Sequence, residues 1–358
     1  MSKRRIARIL NRSICEFSDK MKKPKEDRFG YPMNFRAYFT RGIIWGQRLV
    51  FSRLLNGIND HRPIPPDYVG EAANDAIRKL LEGPAPCLVA RFGCVELDAI
   101  LRGYDIARKG SRFVKFAKLF TGAYGPFWWD NSIKKNLLCT TGVFPADEET
   151  LMHFSRQALE DSRQLDILGS WNARELELKR AFYPAVKGVS LVDLEPFFRK
   201  EPWTQALEGK KVLVVHPFDA TIREQYARRE RLFDDARILP KFELVTYRPV
   251  QSFLGLKTPY RDWFEALGKM CADIAKIDFD VALLGCGAYG MSLGAFIKRD
   301  MGRKAVHLGG VTQVLFGIKG GRYDPNPYYN RLYNDFWVRP SENERPSNFI
   351  QHEGGAYW

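Results

Sequence analysis

The sequence has no C-x-x-C pair, no zinc-type ligand spacing and no H-E-x-x-H. Its six cysteines, Cys15, Cys87, Cys94, Cys139, Cys271 and Cys286, are scattered and several sit inside apolar runs. Buried free thiols in a reducing compartment are therefore expected, not a disulfide or zinc framework. No run approaches the roughly 20 apolar residues of a membrane-crossing helix. The first residues show no signal-peptide hydrophobic region, so a cytoplasmic protein is the expectation. Negative charge is in deficit: 42 Asp and Glu face 56 Lys and Arg, a formal charge of +14. Such an excess suits an anionic partner and does not choose among nucleotide, nucleic acid and acidic membrane face. No nucleic-acid-binding motif accompanies it, so no specific nucleic-acid partner is expected. With 45% hydrophobic residues in 358, the chain reads as a folded globule of one large or two moderate domains.

The stretch that organises the chain runs from Phe279 to Gly310. A short apolar run, Val281 to Leu284, meets Gly285-Cys286-Gly287-Ala288-Tyr289-Gly290, then a helical pattern, a Gly302 stop and a second apolar run ending at His307 and Gly309-Gly310. This is a strand, glycine turn, helix, strand unit, which sets a helix N-terminus beside the carboxyl end of a parallel strand. The glycine spacing formally satisfies G-x-G-x-x-G. A dinucleotide fingerprint also wants an acidic residue about 20 positions on, and here the second strand ends His307-Leu308-Gly309-Gly310 with none. Three readings of the glycines stay open: a phosphate cradle, tight helix-strand packing alone, or, despite the missing acid, a true dinucleotide site.

Residues 1–66 read as a basic helical extension. Ile6, Leu10, Ile14, Phe17 and Met21 recur at helical spacing among Lys and Arg. That pattern fits peripheral contact with an anionic membrane at its inner face, or a docked helix with a solvated face. After the proline-rich Arg62 to Asp67, the pattern becomes regular α/β. Strands are expected at Cys87–Phe92, Leu137–Thr141, Leu165–Leu168, Val189–Val192, Lys211–His216, Phe242–Tyr247, Val281–Leu284 and Ala305–Leu308. Helices are expected at Glu71–Leu81, Val95–Leu101, Asp147–Ser162, Thr221–Phe233, Trp263–Ile277 and Met291–Met301. Such alternation predicts an α/β, Rossmann-like, mainly parallel sheet with helices on both faces over 67–330, followed by a tail, 331–358, packed on the core.

In open parallel sheets, ligands bind outside the carboxyl ends of the strands. That rule gathers Arg91 and Glu96 after the first strand, and His216 and Asp219 after the Val212 run. It adds Gly285, Gly287, Tyr289 and Gly290, then His307, Gly309, Gly310 and Gln313, and the basic loop with Lys319 and Arg322. One carboxylate among several cations points to a phosphorylated ligand. Glu96 can hold Mg²⁺ or Mn²⁺ on a diphosphate, or be a carboxylate favoured by a helix N-terminus. Arg and Lys can neutralise a departing diphosphate. Asp219 or His216 can accept a proton; equally, Asp219 can be a helix N-cap and the histidines structural.

Five segments carry a resemblance: VARFGCVEL, VLVVHPFDATIREQYARRERLF, DFDVALLGCGAYG, AVHLGGVTQVLFGIKGGRY and FWVRPSENERPSNFIQHEGGAYW. Together they resemble the GT-D-type glycosyltransferase superfamily, in its branch among bacterial polysaccharide and capsule genes, over roughly Asp67 to Trp358. The resemblance implies a cytoplasmic transferase that moves a sugar from a nucleotide-sugar donor, expected to be a uridine diphosphate sugar, to a glycan or lipid-linked acceptor. The family's Asp-x-Glu motif binds the donor diphosphate through a divalent metal. The matching positions here are Cys94, Val95 and Glu96, so the second carboxylate is kept and the first is not. The reading that follows gives Arg91 and Glu96 contact with the diphosphate or its metal, the glycines a phosphate cradle, and Lys319 and Arg322 the leaving group. The competing expectation is a non-catalytic nucleotide-binding or scaffold protein of an envelope-polysaccharide assembly.

Overall fold

A computed structural model describes residues 63–120, 126–347, 349–351 and 354–358. The helical extension expected over 1–66 lies outside these residues except for its last four. Two compact units are present: Asp105–Lys134, and residues 63–104 together with Lys135–Trp358.

The larger unit is built on a seven-stranded, all-parallel sheet. Its strands are β1 (Leu88–Ala90), β2 (Ile167–Ser170), β3 (Lys187–Ser190), β4 (Lys211–Val215), β5 (Glu243–Tyr247), β6 (Val281–Leu284) and β7 (Lys304–His307). They lie in the order β3-β2-β1-β7-β6-β4-β5. In register, Val89 pairs with both Ile167 and Val306, and Leu283 with both Val214 and Val306. The helices in chain order are α1 (Glu71–Glu82), α2 (Cys94–Ala107), α3 (Arg112–Phe120), α4 (Asn131–Thr140), α5 (Glu148–Asp161) and α6 (Glu175–Phe182). They continue with α7 (Asp219–Ala227), α8 (Trp263–Ile274), α9 (Tyr289–Arg299), α10 (Val311–Leu315) and α11 (Pro327–Asn330). Among the described residues no helix is long and apolar enough to cross a membrane.

Local chemistry explains the helix starts. Asp147 caps α5 by accepting from the Thr150 amide, and Asp262 caps α8 by accepting from the Glu265 amide, each at 2.8 Å. Apolar runs of four or five residues, too short for helices, form the central strands and are buried on both faces. Val89, Ile167, Val214, Leu283 and Val306 pack with Ile77, Leu81, Ile222 and Val314 on one side. Their alternates Leu88 and Leu284 lie under Gly294 of α9, where an added Cβ would fall 2.5 Å from Leu88. That glycine lets α9 sit close on the centre of the sheet.

Three expected elements differ. The strand expected over Val189–Val192 runs instead over Lys187–Ser190, and Leu191–Leu194 is a 3₁₀ turn. Leu137–Thr141 is not a strand but the end of α4 and the residue after it. The Thr140 and Thr141 hydroxyls donate to the Asn136 and Leu137 carbonyls, both at 2.6 Å, which satisfies them inside helical geometry. The helix expected over Thr221–Phe233 stops at Ala227 and passes through Arg228 (φ −114°) into a 3₁₀ turn, Arg229–Arg231. Within the smaller unit, α3 contributes Phe116 to an edge-to-face cluster with Phe127, at 5.1 Å between ring centres. Sequence periodicity does not register this inset.

Candidate functional site

Strand ends converge on a cavity of about 410 Å³ in the larger unit. Arg91 follows β1, Trp171 follows β2, His216 follows β4, Gly285 follows β6, and His307 closes β7. The loop after β5 adds Pro249 to Phe253, the end of α4 adds Thr140 and Thr141, and the tail adds Tyr357 and Trp358. A volume of this size holds a nucleotide-sized ligand, and its position is the one that open parallel sheets use.

Arg91 is held in place: its Nε and Nη2 donate to the Phe92 carbonyl at 3.3 and 3.1 Å, and its guanidinium lies 5.3 Å from the Trp171 ring centre. Trp171 Nε1 donates to the same carbonyl at 3.0 Å. Arg322 donates to the Tyr357 hydroxyl at 3.0 Å and lies over that ring. Tyr357 in turn packs on Gly310, where an added Cβ would fall 2.5 Å from its ring. A bulkier residue at 310 would displace the tail.

The two histidines have opposite hydrogen-bonding characters. His216 Nδ1 accepts from the Phe218 amide at 3.0 Å. The proton of its neutral ring is therefore on Nε2, and His216 can only donate to a ligand. His307 Nδ1 lies 3.1 Å from the Leu284 carbonyl, which only accepts, so Nδ1 carries the proton and Nε2 the lone pair. Burial holds His216 at about 3. Burial and the charge of Arg91 hold His307 at about 4. Both rings are neutral near neutral pH. As His216 stands, it is a donor and not the proton acceptor expected from its sequence position.

The glycine cluster answers to packing as well as to the cavity. An added Cβ at Gly285 would fall 2.5 Å from the His216 ring and 2.9 Å from Thr312, and one at Gly290 would fall 2.2 Å from His307. Gly287, at φ +59°, makes the turn into α9. Gly285 and Gly287 line the cavity, whereas Gly290 supports it from behind by admitting the His307 ring. Tyr289 is pinned, stacked on Trp263 at 4.9 Å with its hydroxyl 3.0 Å from Ser252 Oγ.

Of the residues expected at the site, Arg91, Glu96, His216, Gly285, Gly287, Tyr289, His307, Gly309, Gly310, Gln313 and Arg322 line one cavity. Three do not. Asp219 pairs with Arg223 at 2.8 Å on the first turn of α7, whose N-cap is Phe218. Lys319 places its ammonium over the Tyr333 ring at 5.3 Å. Gly290 is the third. Gln313 is fully buried, and its Nε2 donates to the Lys319 and Tyr357 carbonyls at 3.1 and 3.2 Å, which ties the basic loop to the tail. The strand-end rule, applied after Tyr247, would have found Pro249 to Phe253.

Glu96 is the one carboxylate side chain among the described cavity-lining residues. It folds over the start of α2, where an added Cβ at Gly93 would fall 1.9 Å from its Oε2. Among the described residues no three His, Cys, Asp or Glu side chains gather as metal ligands. A single carboxylate does not make a protein-built site for Mg²⁺ or Mn²⁺, which would need phosphate oxygens from the ligand itself. In comparisons with known proteins, the chain matches no family model, no curated protein and no solved structure.

Proposed function

We propose that the protein is a glycosyltransferase moving a sugar from a nucleoside diphosphate sugar, with uridine diphosphate as the expected carrier, to a hydroxyl of a glycan or lipid-linked acceptor. The observation that carries this reading is the strand-end cavity itself. It combines two arginines, glycine turns and a wall of aromatic rings with a single carboxylate. Arg91 and Arg322 suit a diphosphate, since guanidinium donors match phosphate oxygens and their charge offsets that of the leaving group. Phe253 and Trp358, with ring centres 6.1 Å apart, offer a planar base a stacking surface, and buried Phe218 backs Trp358 edge-on. His216 Nε2–H adds a neutral donor.

In the transfer, the acceptor oxygen bonds to the anomeric carbon as the bond from that carbon to the diphosphate oxygen breaks. The electron pair leaves with the diphosphate, and the acceptor hydroxyl releases its proton. A second reading, nucleotide binding without turnover, is favoured by the pairing of Asp219 with Arg223 outside the cavity. The test is ³¹P NMR of UDP-glucose, UDP-galactose and UDP-N-acetylglucosamine incubated with the protein and Mn²⁺. Release of UDP from one of them, abolished in Arg91→Ala, is expected. Binding without release supports the second reading, and absence of both overturns the two.

A further inference from the structure

A second cavity, of about 240 Å³, adjoins the first and shares Arg91, Trp171, Gly310 and Arg322 with it. Glu195, only 4% exposed, lines this second cavity and not the first. One carboxylate oxygen, Oε1, accepts from the Tyr329 hydroxyl at 2.7 Å. The other, Oε2, is buried with no hydrogen-bond partner among the described residues. The Tyr328 hydroxyl also acts on this carboxylate, but no hydrogen bond of good geometry reaches Oε2; since buried polar atoms are nearly always satisfied, that oxygen has room for a donor from outside the chain. Asn326 and Tyr323 line the same space, and Trp171 stands between the two cavities, 39% exposed. Polar groups beside an indole are the chemistry that receives a sugar ring.

We propose that this second cavity is the acceptor subsite, taking a hydroxyl-bearing sugar, and that Glu195 Oε2 removes the proton of the attacking hydroxyl. The inference rests on the glycosyl-transfer reading above. The acceptor O–H bond breaks with its proton passing to Oε2, the oxygen bonds to the anomeric carbon of the donor in the first cavity, and the diphosphate departs with the electron pair of the broken bond. Arg91 lines both cavities, and its charge acts on Glu195. The groups around the carboxylate favour such a role. Burial raises Glu195 to about 7, opposed by Tyr329, Arg91, Arg199 and Tyr328. Arg199 is itself paired with Asp193 at 2.6 Å, and Tyr323 also feels the Glu195 charge. A base poised near the working pH is the most effective proton acceptor.

The test measures UDP release from the turned-over donor, with methyl β-D-glucopyranoside and methyl β-D-galactopyranoside as acceptor probes, across about pH 5 to pH 9, alongside UDP affinity by calorimetry. Wild type is expected to gain rate with a midpoint near pH 7. Glu195→Gln is expected to lose about 100-fold in rate, lose that pH step, and keep its UDP affinity within about two-fold. Tyr329→Phe removes the Oε1 hydrogen bond and should move the midpoint upward, a change that loss of packing alone does not produce. If wild type releases UDP and Glu195→Gln matches it in rate and profile, the acceptor-subsite proposal is overturned and the transferase reading stands. If wild type releases none from any donor, the transferase reading fails and takes this proposal with it.

Discussion

Replacing Gly290 by alanine places a methyl group inside the ring of His307. The added Cβ would lie 2.2 Å from Cε1, 2.3 Å from Nδ1 and 2.8 Å from Nε2, against the roughly 3.5–4.0 Å at which such atoms rest. Neither partner yields easily. His307 closes β7, is 6% exposed, and is tied through Nδ1 to the Leu284 carbonyl. The Gly290 amide donates to Gly287 at 3.0 Å in the first turn of α9. Overpacking of this kind costs about 1–3 kcal/mol, and loss of the His307 hydrogen bond adds about 1 kcal/mol. At roughly 2–4 °C per kcal/mol for a unit of this size, a cost of about 2–4 kcal/mol should lower the melting temperature by about 4–16 °C. Gly268, inside α8, has nothing within 4 Å of its added Cβ, so Gly268→Ala should leave stability unchanged or raise it by up to ~1 kcal/mol. Differential scanning calorimetry of both variants is the assay. A Gly290→Ala protein that melts at or above wild type would refute the packing argument, and with it the view that Gly290 serves the site from behind.

Four further outcomes follow from the geometry. Glu344 is buried and accepts from the Ala220 amide at 2.8 Å and from the Thr221 amide and hydroxyl at the start of α7. Glu344→Ala should therefore cost about 2 kcal/mol in urea unfolding by leaving those donors unpaired, and an unchanged midpoint would contradict this. Glu195 is raised to about 7 from an ordinary value of 4.5, so its protonated form stabilises the fold below about pH 4.5 and that contribution is lost as pH rises through 7. The stability of wild type relative to Glu195→Gln should thus fall by up to ~1.4 kcal/mol per pH unit across this window, and a flat difference would count against the buried carboxyl. The histidines act with opposite sign. His216 and His307 are depressed to about 3 and about 4, so their contribution is present above about pH 6.5 and is lost on acidification toward those values. Among the described thiols, Cys94 is exposed while burial pushes Cys286, Cys271 and Cys87 up to about 12. Iodoacetamide at pH 8 should mark Cys94 first by peptide mass spectrometry, and faster labelling of Cys286 would show an open cavity floor.

Much of the sheet is legible in the sequence because its central strands are buried on both faces and read as unbroken apolar runs. Val212–Val215 and Val281–Leu284 need no periodicity to be recognised. Once strands are assigned, the edge where their carboxyl ends meet is fixed by the parallel arrangement, and Arg91, His216, Gly285 and His307 fall together. A five-residue run such as Leu137–Thr141 carries no period, so helix and strand are indistinguishable until the threonine hydroxyls find helical carbonyls. Asp219 shows a different limit. Position after a strand gives proximity to the edge but not direction, and Arg223 one turn along draws the carboxylate away. Glu195 is the clearest case of what sequence withholds. Its chemistry comes from burial and from Arg91 and Tyr329, about a hundred or more positions away in the chain. No local pattern in Val-Asp-Leu-Glu-Pro announces it.

The most direct measurement is calorimetric titration of UDP, with and without Mn²⁺, into the wild-type protein and Arg91→Ala. A saturable heat with wild type is expected, weakened at least ten-fold in the variant, because a charge-assisted hydrogen bond contributes about 1.5–3 kcal/mol. No heat from a protein that still melts cooperatively, or equal affinity in the two proteins, would contradict a nucleotide diphosphate bound at the strand-end cavity.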